Sequence, residues 1–268
     1  MTSNLASARL WLVGAGNMGG AMLARWIERG VLRPDQVVAI DPGSPSVPAG
    51  VRLVDAPPTG ETPDILVLAT KPQLLDTVAA SLAHVRPTLL ISILAGIEQS
   101  TLAQRIPAVA TVRAMPNLPV SLGQGVVVLH SDDADAAARA TTEVLMTPLG
   151  LVEWVADEGL FHAVTALSGS GPGFVYRFIE ALAAAGTALG LPADQAQRFA
   201  IATVEGAAAL AAASDDTPAT LANRVASSGG TTRAGLDVLD AEGAMHDLVA
   251  ATLAAAARRS EELAAAIR

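Results

Sequence analysis

The chain has no cysteine, which excludes a disulfide framework, a thiolate nucleophile and a thiolate metal site. Lysine is nearly as scarce, with Lys71 standing alone against sixteen arginines. Arginine has replaced lysine wherever either would serve, so that single survivor is a position to follow. The four histidines, His84, His130, His162 and His246, show no H-E-x-x-H and no paired spacing, and no metal site is expected. No uninterrupted apolar run reaches the length of a membrane span: Thr88 to Ile97 is too short, and Glu, Arg, Asp and Gly interrupt the alanine-rich helices. The opening MTSNLASARL holds no apolar segment of signal-peptide length. The expectation is a cytoplasmic protein without a membrane partner. A net charge of −9 and the lack of any Lys/Arg cluster argue against a nucleic-acid surface. An anionic ligand would then be held by local devices such as helix N-termini.

What is present begins with Leu10 to Met22, LWLVGAGNMGGAM. The apolar run Leu10 to Val13 has the character of a buried strand, and Gly14, Gly16 and Gly19 follow it in G-x-G-x-x-G spacing. The first glycine makes a tight strand-to-helix turn, the second lets backbone approach a pyrophosphate, and the third lets the helix pack on the strand. The N–H groups at the helix start then face the diphosphate. Met22, Leu23, Trp26 and Ile27 continue the helix to Gly30, its cap. Gln36 to Ile40 is the second strand. Asp41 ends it, 22 positions past Gly19, where a carboxylate can accept hydrogen bonds from an adenosine ribose. Such a carboxylate would repel a 2′-phosphate, and no arginine accompanies Ser44 in this loop, so NADH is favoured over NADPH. The same Asp41 also suits the start of the turn Asp41-Pro42-Gly43.

Strand and helix patterns alternate through Asp64 to Ala69, Thr88 to Ile93, Ala108 to Arg113, Val126 to Leu129, a helix over Ala134 to Leu145, and Gly150 to Val155. Loops at the carboxyl ends of such strands line the ligand crevice of a doubly wound sheet. That places Lys71 beside a cofactor and lets the small residues of Leu94-Ala95-Gly96 admit a flat nicotinamide. Near Asp157 the pattern becomes helical and alanine-rich to the end of the chain. The expected fold is α/β: a Rossmann dinucleotide-binding domain over 1–156, then an all-α dimerisation and substrate-binding domain over 157–268. Leu167 to Pro172 is expected to break one helix, and further helices are expected over Ala193 to Ala213, Thr217 to Ala226, Arg233 to Leu239 and Gly243 to Ile267. Their apolar faces exceed what a unit of this size buries alone, so a second subunit is expected to cover them.

Catalytic candidates are few. Ser168 and Ser170 lack the preceding strand of a hydrolase elbow. Ser227 to Thr232, SSGGTT, offers backbone N–H groups and hydroxyls at a helix start, an arrangement suited to a carboxylate or simply to capping.

Seven segments, VGAGNMGGAM (13–22), LATKPQ (68–73), SILAGI (92–97), RAMPNLP (113–119), ALSGSGPGFVYRFIEAL (166–182), GLP (190–192) and ASSGGTTRAGLDVLD (226–240), together resemble the pyrroline-5-carboxylate reductases. They occur in order over nearly the whole chain, and the last is the most specific. The resemblance implies NAD(P)H-dependent reduction of the cyclic imine Δ1-pyrroline-5-carboxylate to L-proline, the last step of proline biosynthesis, by a homodimer that can assemble into decamers. It implies that Gly14, Gly16, Asn17, Met18 and Gly19 hold the pyrophosphate. Ala69, Lys71 and Pro72 would line the cofactor cleft, and Ala95, Gly96 and Asn117 would lie near the nicotinamide. Ser227, Gly229, Gly230, Thr231 and Thr232 would hold the substrate carboxylate, with the Thr232 hydroxyl as the catalytic group near the ring nitrogen.

The chain departs from the family pattern at Thr70, Leu118 and Ser228, at Ala56-Pro57-Pro58, which lacks an asparagine, and at Asp41, where Ser and Arg often bind a 2′-phosphate. Two other readings compete. One is a related imine or β-hydroxyacid reductase; hydroxyacid oxidation of that type generally uses a lysine on the first helix of the second domain, and the helix from Pro172 has Arg177 and no lysine. A non-catalytic NAD(P)-sensing protein would have no need of a second anion cradle.

Overall fold

The computed structural model describes residues 5–265. They form two compact units, residues 5–169 together with 256–265, and residues 170–255.

The first unit is built on an eight-stranded sheet: β1 (Leu10–Val13), β2 (Val37–Ile40), β3 (Arg52–Val54), β4 (Ile65–Leu68), β5 (Leu89–Ser92), β6 (Ala110–Pro116), β7 (Gly125–His130) and β8 (Gly150–Trp154), in the spatial order β3-β2-β1-β4-β5-β6-β7-β8. The first six strands are parallel, β7 runs antiparallel to β6, and β8 runs parallel to β7. The order 3-2-1-4-5-6 of the first six is that of a dinucleotide-binding fold. The central strands β1, β2 and β4 are continuous apolar runs because both faces are covered. Leu10 and Leu12 pack on one side with Met22, Leu23 and Trp26 of α1 (Asn17–Glu28). Trp11 and Val13 pack on the other with Leu75, Ala79 and Leu102 of α2 (Leu75–Ser81) and α3 (Gln99–Arg105). The buried Trp26 indole donates to the Leu145 carbonyl at 2.6 Å, which ties α1 to α4 (Ala136–Met146).

Three elements have no bounds legible in the sequence. The strand β3 has three residues, lies at the sheet edge and begins with exposed Arg52, too little for an alternation to register. The helices α2 and α3 have seven residues each, less than the span over which a 3.6-residue period becomes visible.

Residues 157–169 belong structurally with the sheet, although the composition changes at Asp157. The cause is a set of contacts between residues distant in sequence. Glu158 accepts from the Gln99 N–H at 2.7 Å and from Arg113 at 2.8 Å, and the Arg113 guanidinium lies 4.4 Å from the centre of the Phe161 ring. After the short helix α5 (Phe161–Val164), Thr165–Gly169 forms a π-helical turn leading into α6 (Gly171–Ala188). The break expected at Leu167 to Pro172 is therefore a change of helical pitch, with Pro172 in the first turn of α6, where its missing N–H has no intrahelical partner to lose.

The second unit contains α6, α7 (Ala193–Ala212), α8 (Pro218–Arg224), α9 (Thr231–Asp240) and the first part of α10 (Ala244–Ala265). The expected end of the last helix at Ile267 lies outside the described residues. Among the described residues of this unit only Ala196 and Ala200 are buried, while Phe174, Phe178, Phe199 and Tyr176 are 37 to 58% exposed. Helices with aromatic side chains and no core of their own require a covering surface.

Candidate functional site

The carboxyl ends of β2, β1, β4 and β5 stand in one row. Their registers pair Ile40 with Val13, Val13 with Leu68, and Leu68 with Ser92. Backbone bonds carry the row one residue further, from Gly14 N–H to Ile40, from Ala69 N–H to Val13 and from Ile93 N–H to Leu68. The sheet thus brings together four of the loops named in the sequence: Gly14–Gly19, the turn at Asp41, Ala69–Pro72 and Leu94–Gly96.

Within the first loop the glycines differ in why they must be glycine. Gly14 has φ +93°, and a Cβ there would lie 2.6 Å from the Ala69 carbonyl oxygen. At Gly19 a Cβ would lie 2.1 Å from the Gly14 oxygen and 3.0 Å from the Ala69 Cβ. Those two positions are closed by the protein itself. At Gly16 nothing among the described residues lies within 4 Å of an added Cβ, so their packing does not demand a glycine there. Gly16 is the N-cap of α1 and provides no side-chain cap, which leaves the first N–H groups of the helix for a ligand.

A groove of about 480 Å³ adjoins this helix start, lined by Ala15, Gly16, Asn17, Gly20, Ala21 and Ala24 on one side and Pro45, Ser46, Val47 and Pro48 on the other. The second wall was not anticipated: the sequence drew attention to Ser44, whereas Ser46 lines the groove. The Asp41 carboxylate accepts from Ala15 N–H and Gly43 N–H, both at 2.8 Å, so it is fixed between the glycine loop and its own turn. Each oxygen retains capacity for a ribose hydroxyl. Close by, the Thr70 hydroxyl is buried without a hydrogen-bond partner among the described residues. An open cradle at Gly16, free helix N–H groups, a fixed carboxylate and an orphaned hydroxyl fit a dinucleotide. Lys71 is exposed and precedes a 3₁₀ turn over Pro72–Leu74, and Ala95 is exposed beside Gly96.

Asn117 behaves differently from its neighbours in the motif. It is buried; its side-chain oxygen accepts from Val126 N–H at 2.8 Å, and its amide donates to the Ser168 carbonyl at 2.9 Å. Both ends of the amide are engaged inside the protein, holding β7 and the π-helical turn to the end of β6.

In the second unit, Ser227 to Thr232 forms a turn closed by a Gly230 N–H to Ser227 carbonyl bond of 2.9 Å. Gly229 has φ +69°, and a Cβ at Gly230 would lie 2.6 Å from the Ser227 hydroxyl oxygen. The helix α9 starts at Thr231, two residues before the sequence suggested, so Thr231 and Thr232 lie in its first turn. Its N-cap, Gly230, makes no side-chain capping bond. Arg233 is paired with Asp237 and Asp240, leaving the backbone N–H groups as the anion-facing element. Among the described residues no group of three or more His, Asp or Glu side chains could hold a metal ion, and no helix is long and apolar enough to cross a membrane.

Residues 158–263 match the family described as pyrroline-5-carboxylate reductase dimerisation, and residues 9–96 match NADP oxidoreductase, coenzyme F420-dependent. The chain is 38% identical to a pyrroline-5-carboxylate reductase of Synechocystis over 96% of this chain and 98% of the relative. It is 36% identical to that of Pseudomonas aeruginosa over 97% and 98%. The solved structure of a pyrroline-5-carboxylate reductase from Coxiella burnetii superposes with a TM-score of 0.87 at 29% identity, covering 96% of this chain and 98% of that one. At 36 to 38% identity over nearly the whole of both chains, and with its exposed helical unit matching a dimerisation family, the chain belongs to the pyrroline-5-carboxylate reductase family.

Proposed function

We propose that the row of loops on the sheet carries the dinucleotide and that the start of α9 carries the substrate carboxylate. The chain is an NAD(P)H-dependent oxidoreductase that reduces Δ1-pyrroline-5-carboxylate to L-proline. When bound, the reduced nicotinamide supplies the hydride. The observation that carries the cofactor half is that Gly14 and Gly19 are closed by the protein's own backbone while the space at Gly16 is open at the start of α1. At α9 a glycine turn with Gly229 at φ +69° leads into the helix start at Gly230. A dinucleotide pyrophosphate and an imino-acid carboxylate are two anions that suit the N–H groups of a helix start.

Gly14, Gly16, Asn17, Met18 and Gly19 hold the pyrophosphate, with Ala69, Lys71 and Pro72 along the cleft and Ala95 and Gly96 at its nicotinamide end. Asn117 serves this end by fixing the turn at Ser168. Asp41, held by two backbone donors and with no arginine in its loop, favours NADH over NADPH. Ser227, Gly229, Gly230, Thr231 and Thr232 fix the carboxylate, and the Thr232 hydroxyl orients the ring nitrogen and helps protonate it. A protonated cyclic imine is already electrophilic, so most of the rate comes from holding two rings in register. No acid–base dyad is required.

The uncovered aromatic face of the second unit supports a homodimer, with decamers as the higher assembly that the resemblance implies. A cytoplasmic location is proposed for the enzyme. Turnover of NADH and NADPH with pyrroline-5-carboxylate, compared between wild type and Thr232→Ala, tests the assignment. Turnover with both cofactors and a loss of about 100-fold in the variant, within the range for a general acid, is expected. No turnover with either cofactor rejects it. Light scattering that finds a monomer rejects the shared helical surface.

A further inference from the structure

The last turns of α10 belong to the nucleotide-binding unit, whereas residues 244–255 of the same helix belong to the other. Within residues 256–265, Ala256, Ala257, Ser260 and Ala264 lie on one side of the helix and are its covered residues, while Arg258, Arg259, Glu261, Glu262, Leu263 and Ala265 are exposed. Two contacts fix that face. The Ser260 hydroxyl is 2.9 Å from Nδ1 of His162. One turn later Ala264 is 5% exposed, and a Cβ on Gly96 would lie 3.3 Å from its Cα. Gly96 has φ +75°, a conformation that leaves its bare Cα against the helix. From inside, the same loop is held by buried Leu94 and Ile97 and by a Leu94 N–H to Ser92 Oγ bond of 3.3 Å.

We propose that the carboxyl end of α10 is a clamp on the loop Leu94–Gly96, and that Ala264 is a positioning residue for dinucleotide binding. The proposal rests on the reading that this loop lies beside the nicotinamide. Gly96 and Ala264 are packed closely enough that a side chain on the first, or a larger one on the second, must shift the loop that carries Ala95. A larger residue at 264 therefore moves the nicotinamide end of the cleft while leaving the glycine loop untouched.

The test is the fluorescence-detected Kd for NADH of the full-length enzyme, with oligomeric state followed by light scattering. Ala264→Leu is expected to weaken binding about tenfold, equivalent to about 1.4 kcal/mol, with the assembly intact. Ala265→Leu, the same change one residue on at an exposed position, is expected to stay within about twofold of wild type. Ala95→Leu probes the loop directly. Weakening in Ala95→Leu with wild-type binding in Ala264→Leu overturns the clamp and leaves the nicotinamide reading standing. Wild-type binding in both overturns the two together. If Ala264→Leu disrupts assembly, Ser260→Ala decides: weaker NADH binding in an intact oligomer supports the clamp, and wild-type binding overturns it.

Discussion

Replacing Gly16 or Gly19 by alanine adds the same methyl group to the same loop, yet the structure demands opposite outcomes. At Gly16 the backbone has φ −69°, which alanine adopts, and nothing among the described residues lies within 4 Å of the added carbon. Losing glycine at an N-cap costs up to about 1 kcal/mol, and reduced freedom of the unfolded chain returns about 0.4–1 kcal/mol. The melting temperature of Gly16→Ala should therefore stay within about 3 °C of wild type. At Gly19 the added carbon would sit 2.1 Å from the Gly14 carbonyl oxygen, a backbone atom that no side-chain rotation can move aside. Such overpacking costs about 3 kcal/mol or more, a loss of about 6 °C or more for a chain of this size.

Binding separates the two further. If the space at Gly16 receives the pyrophosphate, its methyl is overpacked only in the complex, at about 1–3 kcal/mol, or about five- to 150-fold in Kd for NADH. Thermal denaturation and fluorescence titration of the two variants give both quantities. A Gly16→Ala protein that melts and binds like wild type would refute the assignment of the cradle.

Three other outcomes are expected. Asp41→Ser removes a charge fixed beside the ribose position; the kcat/KM ratio for NADPH over NADH should rise about tenfold or more, equivalent to roughly 1.4 kcal/mol of relieved repulsion, and an unchanged ratio makes Asp41 a turn residue only. Asn117→Ala leaves the Val126 N–H and Ser168 carbonyl unpaired, at about 1–3 kcal/mol each, so its melting temperature should fall by about 4 °C or more; an unchanged melting curve contradicts a positioning role. Phe178→Asp places a charge on the uncovered helical face and should shift light-scattering mass towards the monomer, whereas unchanged mass would place the subunit contact elsewhere.

The parts of the molecule visible in the sequence are those made by neighbours in the chain. Leu10 to Val13 followed by Gly14, Gly16 and Gly19 gives strand, turn and helix locally, and Asp41 follows by position alone. The helical half shows its need for a partner because its alanine-rich apolar faces exceed what a unit of that size can bury, and the structure leaves Phe174, Phe178 and Phe199 exposed. What the sequence concealed depends on distant pairs. Nothing near Asp157 indicates that Glu158 reaches Gln99 and Arg113, so the structural unit extends to Gly169 past the change in composition. Asn117 sits in a cofactor motif, but only the fold reveals Val126 and Ser168 at the two ends of its amide. Gly96 was legible as a small residue for a flat ligand, while Ala264, which packs against it, lies in an alanine-rich helix where no single alanine stands out.

A crystal structure of the oligomer with oxidised dinucleotide and L-proline measures the central geometry directly. The proline carboxylate should accept hydrogen bonds from backbone N–H groups within residues 230–232 of one subunit, with its ring stacked on a nicotinamide that abuts Ala95. Proline bound through any other anchor, or a nicotinamide remote from residues 227–232 of every subunit, would contradict the account.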